Sequence, residues 1–188
     1  MSRWEPNARG RLERAALELY SERGFEQTTV TEIAKRAGLT ERTFFRHYAD
    51  KREVLFAGSA TLEELLVGAL EGAPGSATPI AAVARALDAA AAAFEERRPH
   101  SQQRQKVISA NAELRERELI KLASLSAALS AALRRRGVAD PTASLAAEAG
   151  ITVFKIGFER WIDESNQQSM SQIMRESFEQ LKAVTAGN

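Results

Sequence analysis

Apolar residues between Asn7 and Arg23 recur at Leu12, Ala15, Ala16 and Leu19, the i, i+3, i+4, i+7 spacing of a helix with one buried face. Asn7 is suited to cap it, Gly24 to end it, and Phe25 to anchor the turn that follows. The same spacing returns at Val30, Ile33, Ala34 and Ala37, with Thr29 in the capping position before it and Gly38 after it. Glycine at that place can take the left-handed conformation that closes a helix, after which Leu39 turns inward and Thr40 caps a third segment. There Phe44 and Tyr48 stand four apart on the inner side, leaving Glu41, Arg42, Thr43, Phe45, Arg46 and His47 over the outer side. Asp50 with Glu53 three residues on is an Asp-led capping box. It predicts one long helix carrying Val54, Leu55, Leu62, Leu65 and Leu66 and ending near Leu70.

The remaining pattern is also helical. Gly72 to Pro79 is a loop by its glycines, prolines and small polar residues. Ile80, Val83, Leu87, Ala90 or Ala91, and Phe94 predict a helix over 79–97 that Pro99 breaks. A short helix over 102–110 follows, then a longer one over 113–135 with Leu122, Leu125, Leu129 and Leu133 inside and Gly137 after it. Asp140-Pro141 opens a helix reaching about Glu164 with two apolar stripes: Ile151, Phe154, Phe158 and Trp161 on one side, Leu145, Ala149, Thr152 and Ile156 on another. The last helix, over 170–186, carries Met170, Met174, Phe178, Leu181 and Val184. The expected fold class is all-α, with an N-terminal three-helix unit over 1–57 and an antiparallel helical domain over 58–188. A helix with two apolar stripes needs cover on both, and a second copy of the chain is a natural cover for one of them.

Two short helices joined by a tight turn containing glycine form a helix-turn-helix, whose second helix enters the DNA major groove. Charge supports that reading. Between Lys35 and Arg52, the six basic residues Lys35, Arg36, Arg42, Arg46, Lys51 and Arg52 stand against Glu41 and Asp50 alone, while the whole 188-residue chain carries a formal net charge of only +1. A local basic patch on a near-neutral protein fits a phosphate footprint. Arg42 and Arg46 are candidates for guanine or phosphate, because a guanidinium fork matches both. Thr29, Thr40, Thr43, His47 and Lys51 are candidate phosphate donors, with Thr29 and Thr40 equally explained as plain helix caps. Arg134 to Arg136 read as cations at a helix C-terminus rather than as a second nucleic-acid patch. The N-terminal residues around Arg3 and Trp4 are either a disordered end or an arm reaching DNA.

Other chemistry finds little support. Cysteine is absent, which excludes disulfides, thiolate metal sites and thiol nucleophiles. The two histidines, His47 and His100, lack any ligand spacing, and there is no GxSxG elbow, P-loop or GxGxxG. No metal, cofactor or enzymatic activity is expected. With no apolar run of membrane-spanning length and no signal-peptide pattern, the expected location is the cytoplasm.

Gly24, Phe25, Thr28-Thr29, Ile33-Ala34, Ala37-Gly38, Thr40, Phe44, Tyr48 and Lys51 together resemble the TetR family of transcriptional repressors. The run from Thr40 to Phe56 is similar to an actinobacterial group of its members that includes the mycofactocin-associated regulator. Phe45 stands where members commonly have tyrosine and Arg42 where many have glycine, so an apolar contact of Phe45 with a thymine methyl is expected instead of a phenolic one. The resemblance implies a homodimer on a palindromic operator, released when a small lipophilic ligand, acyl-CoA-like, enters the C-terminal domain. A DNA-binding activator or architectural protein without an effector is the alternative. Phe94, Val107, Leu114, Phe154, Phe158 and Trp161 are the candidate ligand-lining residues, and the same side chains at helical spacing also read as ordinary core.

Overall fold

The computed structural model describes residues 7–186. Residues around Arg3 and Trp4, the candidate DNA arm, lie outside them. Nine α-helices run through the described residues, with no strand among them: α1 (Ala8–Arg23), α2 (Val30–Arg36), α3 (Glu41–His47), α4 (Ser59–Glu71), α5 (Pro79–Phe94), α6 (Arg98–Ser109), α7 (Ala112–Arg135), α8 (Thr142–Ile162) and α9 (Met170–Ala186). The all-α class is as expected, and no described helix is long and apolar enough to cross a membrane.

The chain forms two compact units. One comprises the residues up to Gly58 together with Gln103–Glu118, the other Ser59–Gln102 with the residues from Leu119 onward. The first break falls beside the expected boundary of 57/58, but 103–118 was expected in the C-terminal domain and belongs to the N-terminal unit. The reason is apolar: Val107, Ile108 and Leu114 are buried in the same core as Leu12, Leu19, Tyr20, Phe25, Ile33 and Phe44. Polar links accompany that packing. Arg104 Nε donates to the Leu55 carbonyl at 2.7 Å, Asn111 Nδ2 to Glu26 Oε1 at 2.8 Å, and Arg117 pairs with Glu53. Asn111 also caps α7, accepting from the backbone N–H groups of Glu113 and Leu114.

Two helical expectations need correction. The single helix expected from Asp50 to Leu70 is two elements. Asp50 does accept from the N–H groups of Arg52 and Glu53, at 2.8 and 3.2 Å, yet only a 3-10 turn over Glu53–Phe56 follows, and α4 begins separately at Ser59. Val54, Leu55 and Phe56 are all buried, so three successive side chains must turn into one core, and Gly58, a poor helix former by about 1 kcal/mol relative to alanine, stands between the two elements. Pro99, expected to break a helix, sits instead in the first turn of α6. The amide hydrogen it lacks would have no intrahelical partner there, so proline is tolerated.

The second unit is built around α5, which packs on α4, α8 and α9. Thr78 caps α5, with Pro79 in its first turn, and Ala82, Ala86, Ala90 and Ala91 are fully buried, small enough to bring neighbouring helices close. α8 approaches closer still through glycines. A Cβ at Gly150 would overlap Val83 Cγ1, and one at Gly157 would lie 2.8 Å from Met174 Cε. Leu125, Leu129 and Leu133 of α7 and Met170, Met174 and Phe178 of α9 complete the core. The arginine triplet is internally engaged: Arg134 with Asp140, Arg135 with Glu71, and Arg136 with the carbonyls of Glu71, Ala73 and Pro74.

Candidate nucleic-acid interface and apolar site

Short helices such as α2 and α3 gain little from their own hydrogen bonds, so their ends must be fastened. Thr29 opens α2 with a full capping box: its hydroxyl accepts from Glu32 N, while its own N–H and hydroxyl donate to Glu32 Oε2 at 2.9 and 3.0 Å. These bonds hold the Glu32 carboxyl below its ordinary range. At the other end Gly38 has φ +65°. Its N–H reaches the Lys35 carbonyl, and that of Leu39 reaches the Ala34 carbonyl at 2.8 Å, the paired bonds of a Schellman turn. Thr40 then caps α3, accepting from Thr43 N, and the two hydroxyls lie 3.0 Å apart. Thr31 donates to Glu41 Oε1 at 2.6 Å across the angle between the helices.

Phe44 and Tyr48 are buried as expected, and they fix which face of α3 looks outward. Tyr48 donates to Glu13 Oε1 at 2.8 Å; burial and that carboxylate both push its phenol up. Arg42, Arg46 and His47 are exposed on the far side, with Phe45 at 55% exposure between them and its ring edge-on to Phe44, 5.4 Å between centroids. An aromatic ring left outside a core it adjoins is available to meet something else.

The basic residues divide. Arg36 is held by Glu22 through two bonds of 3.0 and 2.9 Å, with Glu18 also in reach. Arg52 pairs with Asp50 at 2.6 Å. Lys51, expected to bind phosphate, is turned inward: its ammonium donates to the carbonyls of Phe25 (2.9 Å), Thr28 (3.0 Å) and Glu26 (3.4 Å) and stands 4.3 Å from the centroid of the Phe25 ring. All three of its hydrogens therefore have partners within the turn before α2. Lys35, Arg42 and Arg46 form no ion pair among the described residues. The patch is thus smaller than the sequence suggests and concentrated on α3. Thr29 and Thr40 act as caps in the structure, and Thr43 sits in the first turn of α3 with its hydroxyl against that of Thr40, which orients the three hydroxyls without removing them from solvent.

The candidate ligand residues do not come together as one set. Val107 and Leu114 lie in the core of the N-terminal unit, whereas Phe94, Phe154, Phe158 and Trp161 form one aromatic cluster in the other. In that cluster Phe154 and Phe158 stack at 6.1 Å, and Phe94 contacts Phe154, Phe158 and Trp161 at 6.1, 5.9 and 6.4 Å. Phe94 and Phe158 are half-buried, while Trp161 is 0% exposed. Sequence spacing predicted the cluster but could not tell which core the other two would join.

Known proteins carry the same parts. The model for bacterial regulatory proteins of the tetR family matches residues 13–57, and that for the MftR C-terminal domain matches residues 77–186. The HTH-type transcriptional regulator TcmR of Streptomyces glaucescens is 41% identical over 81 residues, 43% of this chain and 36% of TcmR, so the match spans about a third of that relative. FadR of Bacillus subtilis, solved with stearoyl-CoA, shares the fold with a TM-score of 0.63 at 18% identity, over 92% of this chain and 96% of that one. FadR of Thermus thermophilus, a repressor solved with lauroyl-CoA, gives a TM-score of 0.55 at 25% identity, over 93% of each chain. Taken with the helix-turn-helix geometry above, these matches place the chain in the TetR family of bacterial transcriptional regulators, with a C-terminal domain of the MftR type.

Proposed function

We propose that this protein is a homodimeric cytoplasmic repressor that binds a palindromic operator through α3 and leaves it when a small lipophilic ligand, acyl-CoA-like, occupies the aromatic cluster of the second unit. The observation that carries the DNA part is the division of cations. Arg36, Lys51 and Arg52 are engaged within the protein, while Arg42 and Arg46, one helical turn apart, stand exposed on either side of Phe45 with no ion-pair partner among the described residues. Side chains so placed suit base edges and phosphates in a major groove.

The dimer part rests on α8. Its inner stripe is covered within the chain, but Leu145 is 66% and Ile156 48% exposed on the other stripe, and Val184 near the end of α9 is 76% exposed. Apolar side chains in line on a helix face are what a two-fold partner would bury. Ile156→Asp would put a charge there and should convert the dimer to monomer in sedimentation; an unchanged dimer would place the interface elsewhere. The lipophilic ligand rests on the aromatic cluster and on the acyl-CoA complexes of the two FadR proteins.

The decisive experiment is a gel shift on DNA flanking the protein's own gene, repeated with a panel of acyl-CoAs. A sequence-specific shift on a site with half-sites one helical turn or a multiple apart, about 34–36 Å per turn, reversed by a panel member, is the expected result. A specific shift that no panel member reverses would favour an effector-free DNA-binding protein. The absence of any specific shift would refute the whole reading.

A further inference from the structure

We propose that the aromatic cluster receives a lipophile bearing a hydrogen-bond acceptor, a carboxylate or a carbonyl, at its buried end, and that the indole N–H of Trp161 and the Nε–H of Arg98 read that acceptor. This rests on the ligand-release reading above and narrows its ligand to a free acid or ketone, because a head buried with its chain running outward leaves no room for a coenzyme on that head.

Trp161 is fully buried, yet its Nε1 has no hydrogen-bond partner among the described residues. The Nε of Arg98 is likewise buried and unpartnered. Buried N–H groups without acceptors are rare and costly, and they ask for an explanation such as an absent partner. Both donors belong to one corner of the fold. Arg98 lies four residues after Phe94, and its Nη2 donates to the carbonyls of Asp163 and Asn166 at 2.8 and 2.7 Å, just beyond the end of α8. Asn166 in turn donates to the Trp161 carbonyl at 3.2 Å, and Gln102, one turn along α6, donates to the Ile162 carbonyl. The guanidinium is therefore held through Nη2 at the C-terminal end of the helix that carries the indole.

The imbalance has a sign. Among the described residues, both unpartnered buried polar atoms of the second unit are donors; the one unpartnered acceptor, Gln105 Oε1, is in the other unit. Nearby carboxylates are engaged: Glu95 accepts from Met170 N at 2.9 Å, and Asp163 from the Ser165 backbone and hydroxyl. Phe94 and Phe158, whose rings contact the indole at 6.4 and 5.9 Å, are half-buried and supply an apolar approach for a hydrocarbon chain. An acceptor-headed lipophile fits this arrangement. A donor-only or cationic head does not, because neither N–H could receive it.

The test uses the full chain and isothermal titration calorimetry with three probes of similar chain length below their micellar concentrations: decanoate, 2-undecanone and decylammonium. Decanoate and the ketone should bind, with decylammonium weaker by about tenfold or more, the range of one buried hydrogen bond. Trp161→Phe, which keeps a ring and removes the N–H, should weaken both acceptor probes about tenfold and leave decylammonium unchanged. Arg98→Lys keeps the charge but removes the Nε–H, and should weaken decanoate without altering the far-ultraviolet circular dichroism. Equal affinity for all three probes, binding by none, or an equal loss for all three in Trp161→Phe would overturn the proposal. An operator gel shift separates it from the functional reading: decanoate that binds through Trp161 yet releases no DNA would refute the release reading and leave the site. DNA release by probes whose binding ignores Trp161 would do the reverse.

Discussion

Replacing Lys51 by methionine keeps its stem and removes its ammonium, and the structure makes the consequence one of folding more than of DNA affinity. Two bonds of 2.9 and 3.0 Å run from the ammonium to the carbonyls of Phe25 and Thr28, and a third of 3.4 Å is marginal. A hydrogen bond from a charged donor contributes about 1.5–3 kcal/mol, and the low end applies because Lys51 is half-exposed. The Phe25 ring adds about 0.5–1 kcal/mol at such a site. Methionine also removes the cost of holding a partly desolvated charge there, which offsets part of this sum and leaves a net loss of about 2–3 kcal/mol. For a chain of this size each kcal/mol moves Tm by roughly 2–4 °C, so Lys51→Met should melt about 5–10 °C lower by circular dichroism. A phosphate-binding lysine behaves otherwise: its removal leaves Tm alone and lowers the slope of log K against log salt by about 0.9 for each phosphate it no longer neutralises. An unchanged Tm with a shallower salt slope would therefore refute the inward assignment of Lys51.

Arg42→Ala should weaken operator binding by about 1–3 kcal/mol and relax preference at one base pair per half-site, read by binding to a library of single-base operator variants; a uniform loss across the library would make Arg42 a phosphate ligand. Glu32 is held below its ordinary 4.5 by the Thr29 backbone and hydroxyl, so its contribution to stability is present above that value and disappears as pH falls through the lower, folded-state pKa. Glu32→Gln should accordingly lower Tm by a constant amount above about pH 5 and converge on the parent protein as pH falls through the folded-state pKa, and two profiles that coincide near neutral pH would count against the capping box in solution. Gly150→Ala places a Cβ on top of Val83 Cγ1 and should cost about 1–3 kcal/mol; pairing it with Val83→Ala should recover most of the Tm if that overlap is the cause.

Sequence alone determined the local events. Thr29, Gly38, Thr40 and the inward pair Phe44 and Tyr48 act through hydrogen bonds and φ angles within a few residues, so their meaning survives without the rest of the chain. The two stripes of α8 were legible for the same reason, since helical periodicity is a property of one segment. Tertiary structure decided what depended on distant partners. Lys51 looks like a phosphate ligand until the carbonyls more than twenty residues earlier turn toward it. Val107 and Leu114 carry no sequence mark telling them to join the core of Leu12 and Phe44 instead of the aromatic cluster, because burial of an apolar side chain is non-directional and rewards either core alike. The break at Gly58 was hidden by the capping signal of Asp50, which is real but local, while the burial of Val54, Leu55 and Phe56 together was settled by the core they enter. Gly150 and Gly157 read as weak points in a helix; only the approach of Val83 and Met174 shows that the space of a missing Cβ is what lets α5 and α9 close on α8.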